Sequence, residues 1–156
     1  MGILGSLHPE ARRAYRDGIT KIAHFDWEIP RIERETLAYR LLDGYELAPR
    51  FLGHVHEHGR VIGFLLERIE AREAGVDDLL ICQSVLQRVH DLGILNGDVN
   101  RYSFLVRGKD VKMIDFENSR VDTDARSAMQ MEMDGLRGEL MEESGRGGGF
   151  RFEDTS

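Results

Sequence analysis

The chain is poor in cysteine, lysine and proline, and it contains no long hydrophobic run. Its single cysteine, Cys82, excludes an internal disulfide and a cysteine-based zinc site. The sequence has neither a basic leader region nor an apolar run approaching about 18 residues, so it predicts no secretory signal and no membrane span. A reducing, cytoplasmic location is therefore expected.

The chain also has fewer positively than negatively charged residues. The chain has 21 Lys and Arg against 28 Asp and Glu, a formal net charge of −7, which argues against a protein that binds nucleic-acid backbones. With 156 residues, 41% of them hydrophobic, the sequence predicts a single folded domain. The length is too short for a complete eukaryotic-type kinase, or for a TIM barrel at its usual ~250 residues.

Hydrophobic periodicity predicts an α+β fold. Helices are expected over about 31–43, 78–92 and 123–143, with Asp77 as the N-cap of the second and with Gly44 and Gly93 ending the first two. Strands are expected over 19–23, 51–57, 60–69, 104–106 and 111–114, the last four as two hairpins. A short helix is possible near Arg12–Arg16, and the glycine-rich residues 144–156 predict a flexible tail.

The segment from Val89 to Glu117 carries the chemistry. A helix that ends at a glycine leads into a loop that presents Asp98, and a hairpin then presents Asp115. This arrangement suits phosphoryl transfer, in which one carboxylate orients a hydroxyl and another holds Mg²⁺. Asp115 and, more weakly, Ser103 offer the oxygen ligands that a hard divalent cation requires. A turn residue at 98 and a surface carboxylate at 115 are the simpler alternatives.

The same segment resembles the protein-kinase-like superfamily. The likeness is to the branch of aminoglycoside- and choline-type phosphotransferases and short fungal kinase-like proteins. It covers residues 19–120, and the motif positions are His90, Gly93, Ile94, Gly97, Asp98, Phe104, Leu105, Ile114, Asp115 and Phe116.

The resemblance implies roles for residues outside the motifs. Lys21 would grip phosphate, and Glu35, with Glu33 as its rival, would position Lys21. Backbone groups of Glu67 and Ile69 would bind adenine. Asn100 would either help to hold the phosphates or cap its own loop. The implied fold is a reduced kinase-like one, with a truncated N-lobe sheet and one helix over about 19–69 and a mostly helical C-lobe over about 70–143.

Departures from the family pattern leave two functions open. The Gly-rich phosphate loop expected before Lys21 is missing, Asn96 replaces the loop histidine, Ser103 stands where asparagine is usual, and Glu117 replaces the glycine of the metal motif. The first hypothesis is an ATP- and Mg²⁺-dependent phosphotransferase acting on a hydroxyl of a small molecule or protein. The second is a catalytically silent module that binds nucleotide or a protein partner, including a second copy of the chain.

A third, weaker hypothesis rests on three alternating histidines. A regular strand would place His54, His56 and His58 on one face, where imidazoles can bind zinc. A solvent-facing hairpin edge is the simpler interpretation, because His58-Gly59 resembles the turn itself.

Overall fold

The computed structural model describes residues 18–121 and 125–142 and shows an α+β fold. The short helix predicted near Arg12–Arg16 and the tail predicted over 144–156 lie outside these residues. No helix in the described part of the chain combines the length and apolar character that crossing a bilayer requires.

The first half of the chain builds a three-stranded antiparallel sheet against one helix. Its elements are β1 (Gly18–Ile22), α1 (Ile29–Leu42), β2 (Phe51–Glu57) and β3 (Arg60–Glu67), and the strand order is β1-β3-β2. Pro30 lies in the first turn of α1, where its missing N–H has no helical partner to lose.

The second half has two helices and two small two-stranded ribbons. It comprises α2 (Leu79–Asp91), β4 (Ile94–Leu95), β5 (Phe104–Arg107), β6 (Asp110–Met113), β7 (Arg120–Val121) and α3 (Arg126–Met141). The hairpin β5–β6 and the three helices confirm the predicted elements to within three residues at each end. The β4–β7 ribbon was not predicted, because a two-residue strand carries no periodicity.

The predicted helix ends are confirmed at the glycines but not at Asp77. Gly44 and Gly93 both adopt the left-handed conformation that follows a helix, with φ of +84° and +83°. The residue before α2 is Asp78, and its carboxylate accepts the N–H of Gly75 and pairs with Arg72. The sequence interpretation was therefore wrong by one residue, because a short 3₁₀ turn over Val76–Asp78 precedes the helix.

One large apolar cluster joins both halves of the chain, running from Ile32 in α1 to Leu140 in α3. Strand β3 is covered on both faces, as its apolar run predicts: Phe64 and Leu66 enter the large cluster, whereas Ile62 and Leu65 enter a smaller one. The continuous core fixes the sheet relative to the β5–β6 hairpin, and the candidate site lies between them.

Candidate functional site

The centre of the site is a buried ion pair between Lys21 and Glu35. Lys21 lies on β1 and Glu35 on the inner face of α1, and Nζ is 2.6 Å from Oε1. The Glu35 side chain is fully buried, whereas Glu33 is exposed. The structure therefore brings Lys21 to Glu35 and not to its rival.

The backbones of β1 and β3 approach each other closely at Gly63, and this places Lys21 near α1. Gly63 of β3 pairs with Ile22, and a Cβ on Gly63 would lie only 2.2 Å from the carbonyl oxygen of Lys21. A side chain at residue 63 would push β1 away. The glycine thus keeps Lys21 within reach of α1.

The second oxygen of Glu35 connects α1 to the predicted metal motif. Oε2 accepts the backbone N–H of Phe116 at 3.1 Å and the hydroxyl of Tyr39 at 3.2 Å. Burial and the Glu35 carboxylate raise the pKa of Tyr39 well above its usual value, so this hydroxyl remains a proton donor. Each Glu35 oxygen therefore has a hydrogen-bonded partner.

Asp115 lies two residues after the end of β6 and beside the same lysine. Its Oδ1 is 3.8 Å from Lys21 Nζ, is inaccessible to solvent, and accepts no hydrogen bond from the described residues. Burial raises the pKa of Asp115 to about 6. Lys21 opposes that rise, whereas the charges of Glu35, Glu117 and Asp98 add to it. Asp115 also has a positive φ of +66°, which is uncommon outside glycine.

Glu117 is a third carboxylate around Lys21. Its Oε2 is 3.4 Å from Nζ, and its side chain is 9% exposed. Arg34 of α1 fixes the backbone at this point by donating from Nε to the Glu117 carbonyl at 3.0 Å. Burial alone would lower the pKa of Lys21, but the surrounding carboxylates outweigh it and the pKa is raised. Lys21 is therefore charged, inside a pocket with excess negative charge.

The loop that carries Asp98 is held together by its own buried polar side chains. Asn96 accepts the N–H of Asp98 and donates to the Asp115 carbonyl at 3.0 Å, which ties the two predicted motifs together. Asn100 donates to the Asp98 carbonyl and accepts the N–H of Tyr102. Asp98 itself is exposed at the surface of this fixed loop.

Ser103 is an integral part of the same loop. Its Oγ accepts the N–H of Asn100 at 3.1 Å and donates to the Asp98 carbonyl at 3.3 Å. The residue is only 1% exposed. The structure thus places Asn100 and Ser103 next to Asp98, but both side chains are already engaged with the loop backbone.

Glu132 supports this loop from α3. Its two oxygens accept the N–H groups of Asn96 and Gly97, at 3.1 and 2.8 Å. His90 at the end of α2 shares Glu132 Oε1 at 2.8 Å. Sequence reasoning missed Glu132, because a glutamate on an amphipathic helix gives no signal of a partner 35 residues away.

The residues predicted to bind adenine, Glu67 and Ile69, lie at the end of β3 and just after it. Glu67 ends β3, and its N–H is already donated to the carbonyl of Arg50 at 2.9 Å. Ile69 lies two residues beyond, and its N–H donates to no other described residue. Arg72 then pairs with Val106 of β5 as an isolated bridge.

The three histidines do not come together as a metal site. His54 and His56 do lie on one face of β2, with ring centroids 6.2 Å apart. His58 lies in the turn with a φ of +50°, and its side chain is 91% exposed. Within residues 18–121 and 125–142 there is no group of three or more His, Cys, Asp or Glu side chains arranged to hold a metal ion.

Comparison with known proteins adds no family to these observations. Neither a scan of the chain against models of protein families nor a search of curated protein sequences gives a significant match.

Proposed function

We propose that this chain binds Mg²⁺ and ATP and transfers the γ-phosphoryl group to a hydroxyl of a small molecule or protein, in a fold of the protein-kinase-like type. The single observation that carries the proposal is the buried Lys21–Glu35 pair beside Asp115, whose Oδ1 has no hydrogen-bond partner among the described residues. A cytoplasmic location, where the lone buried Cys82 stays reduced, belongs to the same proposal.

Lys21 and Glu35 supply the phosphate grip. An ammonium held on one side by a buried carboxylate keeps a fixed position and a full charge, which suits contact with the α- and β-phosphates. Glu67, through its carbonyl, and Ile69, through its N–H, would bind the adenine edge, since the Glu67 N–H is already occupied.

A magnesium ion fits the residues beside Lys21. Mg²⁺ prefers carboxylate oxygens and retains several waters, and Asp115 offers a buried oxygen that no hydrogen bond satisfies. The excess negative charge of three carboxylates around one lysine is the charge that a divalent cation would offset. When bound, the ion would neutralise charge on the transferred phosphoryl group.

Asp98 would act on the acceptor. In the transfer, the acceptor oxygen forms a bond to the γ-phosphorus, and the bond from that phosphorus to the β–γ bridging oxygen breaks. The hydroxyl proton passes to the Asp98 carboxylate, and the products are ADP and a phosphate ester. Exposure of Asp98 on a loop that Glu132 fixes would leave it accessible to an acceptor.

Two observations favour the silent binding module as the second candidate. Lys21 already contacts three carboxylates, so phosphates must compete with Glu117 for it. Asn100 and Ser103 are engaged in the loop, which leaves the second predicted metal position without an available side chain. Such a module would bind nucleotide, or a partner, without transfer.

A thermal-shift titration with Mg·ATP tests the binding step. Ligand at about 100 times its Kd adds about 2.7 kcal/mol to folded-state stability, so the wild-type Tm should rise by several degrees. Each variant is compared with its own ligand-free Tm. Asp115→Asn should abolish the rise, whereas Asp134→Asn, an exposed change on α3, should keep it. No rise in the wild type at millimolar Mg·ATP rejects the proposal.

The variant Asp98→Asn then tests phosphoryl transfer separately from Mg·ATP binding. Loss of ADP and phosphoester formation with an unchanged Mg·ATP-induced Tm rise supports the phosphotransferase. Wild-type protein that binds Mg·ATP, yet neither hydrolyses it nor phosphorylates any member of a panel of alcohols and Ser/Thr peptides, identifies the silent module instead.

A further inference from the structure

A cavity of about 560 Å³ lies between the end of α2 and the first half of α3. Its volume falls within the range of roughly 300–1,000 Å³ that is usual for ligand pockets. The apolar part of its lining is Leu92, Met129 and Met133, all of them partly exposed. Lys21 and Asp115 do not line it, so the cavity is separate from the candidate site.

The side chains that line the cavity indicate what chemistry an occupant would carry. Met129 and Met133 are about one turn apart on the same face of α3, and methionine thioethers make favourable contacts with aromatic rings. Asp91 and Arg126 add one negative and one positive charge, and both residues are exposed. A suitable occupant therefore presents aromatic side chains together with charges of both signs.

The chain itself carries such a segment beyond the described residues. Residues 150–154 read Phe-Arg-Phe-Glu-Asp, and Phe150 and Phe152 are the only aromatic residues that follow β7. In an extended backbone alternate side chains lie on the same side, so two rings two residues apart can enter one cavity together. Arg151 and Glu153 would then lie at its edge, with charges that complement the carboxylate and the guanidinium there.

The length of the linker between α3 and this segment matches the distance to the cavity. Glu142 directly follows α3, and Met133 lies nine residues before it, which is about 14 Å at about 1.5 Å per helical residue. Eight residues lead from Glu142 to Phe150, and four of the seven between them are glycine. A glycine-rich linker of that length spans about 14–17 Å on average. A linker whose average span equals the distance to its site gives the highest effective concentration there.

We propose that residues 150–154 of this chain dock into the cavity between α2 and α3, with Phe150 and Phe152 against Met129 and Met133. The two rings cover thioethers that are otherwise partly exposed, and the burial of this apolar surface favours the docked state. Docking needs neither nucleotide nor metal, so it holds whether or not the chain transfers phosphate.

The docked segment also reaches a support of the Asp98 loop. His90 lines the cavity, and its Nε2 is 2.8 Å from Oε1 of Glu132. Glu132 in turn accepts backbone N–H groups of that loop. The segment therefore lies against a residue that helps to fix the loop.

Disulfide trapping in the whole chain tests the docking. Glu153→Cys is combined either with Gln130→Cys, at a position that lines the cavity, or with Met131→Cys as the matched control. Met131 is the next residue of α3, is 75% exposed and does not line the cavity. The native Cys82 does not compete, because burial raises the pKa of its thiol to about 12.

The rate of disulfide formation is measured by mass spectrometry of tryptic peptides after oxidation with copper phenanthroline. The Gln130 pair should form at least five times faster than the Met131 pair. Combining Phe150→Ala with Phe152→Ala should bring the two rates within twofold of each other. A ratio below five in the chain with both phenylalanines overturns the docking, as does a ratio that stays above two in the double alanine variant.

Size-exclusion chromatography of the oxidised protein identifies the occupant. An intramolecular disulfide that forms at a rate independent of protein concentration supports docking of the chain's own segment. Disulfide-linked dimers whose rate of formation rises with concentration show that a second copy supplies the segment, and they overturn the proposal. Circular dichroism before oxidation confirms the fold of each variant; Gln130→Cys removes only an exposed hydrogen bond to Asp134.

Discussion

Replacement of Glu35 by glutamine should destabilise the protein through loss of one buried charge. Removing one partner of a buried ion pair costs about 3–5 kcal/mol. Lys21 would keep the weaker contacts with Glu117 at 3.4 Å and Asp115 at 3.8 Å, and the amide can still accept the Phe116 N–H. The expected cost therefore lies at the lower end, about 3 kcal/mol, which lowers the Tm of a domain of this size by about 6–12 °C.

Urea unfolding followed by circular dichroism measures this cost, with Glu33→Gln as the matched control. The control removes the same charge from an exposed position two residues away on α1, and it should change the unfolding free energy by less than about 0.5 kcal/mol. The reasoning is refuted if Glu35→Gln costs less than about 1 kcal/mol, or if both variants lose the same amount.

Two further predictions concern Asp115 and the loop. Asp115→Asn should raise the free energy of unfolding at pH 7 by up to about 3 kcal/mol, because burial holds the folded-state pKa at about 6 against 3.8, so ionisation opposes folding. That gain should shrink as pH falls and vanish near pH ~4 in urea titrations, whereas an equal gain at both pH values contradicts the assignment. Gly97→Ala should cost about 2–5 kcal/mol, since φ is +88° and a Cβ would lie 2.2 Å from the Asn118 carbonyl oxygen. Gly135→Ala, in open space on α3, should instead stabilise by about 0.5–1 kcal/mol, and similar urea midpoints for the two alanine variants would show that the close contact is not real.

Local sequence patterns predicted the α+β class and most of the helices and strands. The 3.6-residue spacing of Cys82, Leu86 and Val89 specified the buried face of α2, and the apolar run of β3 predicted burial on both faces. His58 and Gly59 both adopt positive φ, as a two-residue hairpin turn requires. In each of these places the information lies within one element, so neighbouring residues determine the outcome.

The contacts that build the site come from distant parts of the chain, and only some left a trace in the sequence. Lys21 is the only lysine before residue 109, which allowed its position to be chosen before any geometry was known. Glu132 left no such trace, because its partners at Asn96 and Gly97 are backbone N–H groups that every residue except proline carries.

The position of His58 decides the histidine hypothesis. His54 and His56 lie on one face of β2, with ring centroids 6.2 Å apart, as the alternation of a strand predicts. His58 leaves this face because it adopts a positive φ in the turn that follows β2. Two imidazoles remain on the strand, whereas zinc sites use at least three protein ligands.

Glu35 connects the stability of the fold to the integrity of the site. One of its oxygens binds Lys21 on β1, and the other binds the Phe116 N–H, which lies between Asp115 and Glu117. A shift of α1 would therefore move Lys21 and the two motif carboxylates relative to one another. A buried carboxylate with partners on two other elements tolerates little movement, because each lost hydrogen bond would leave a charged oxygen without solvent. The same contacts that make Glu35 costly to replace therefore fix the distances on which cation and phosphate binding would depend.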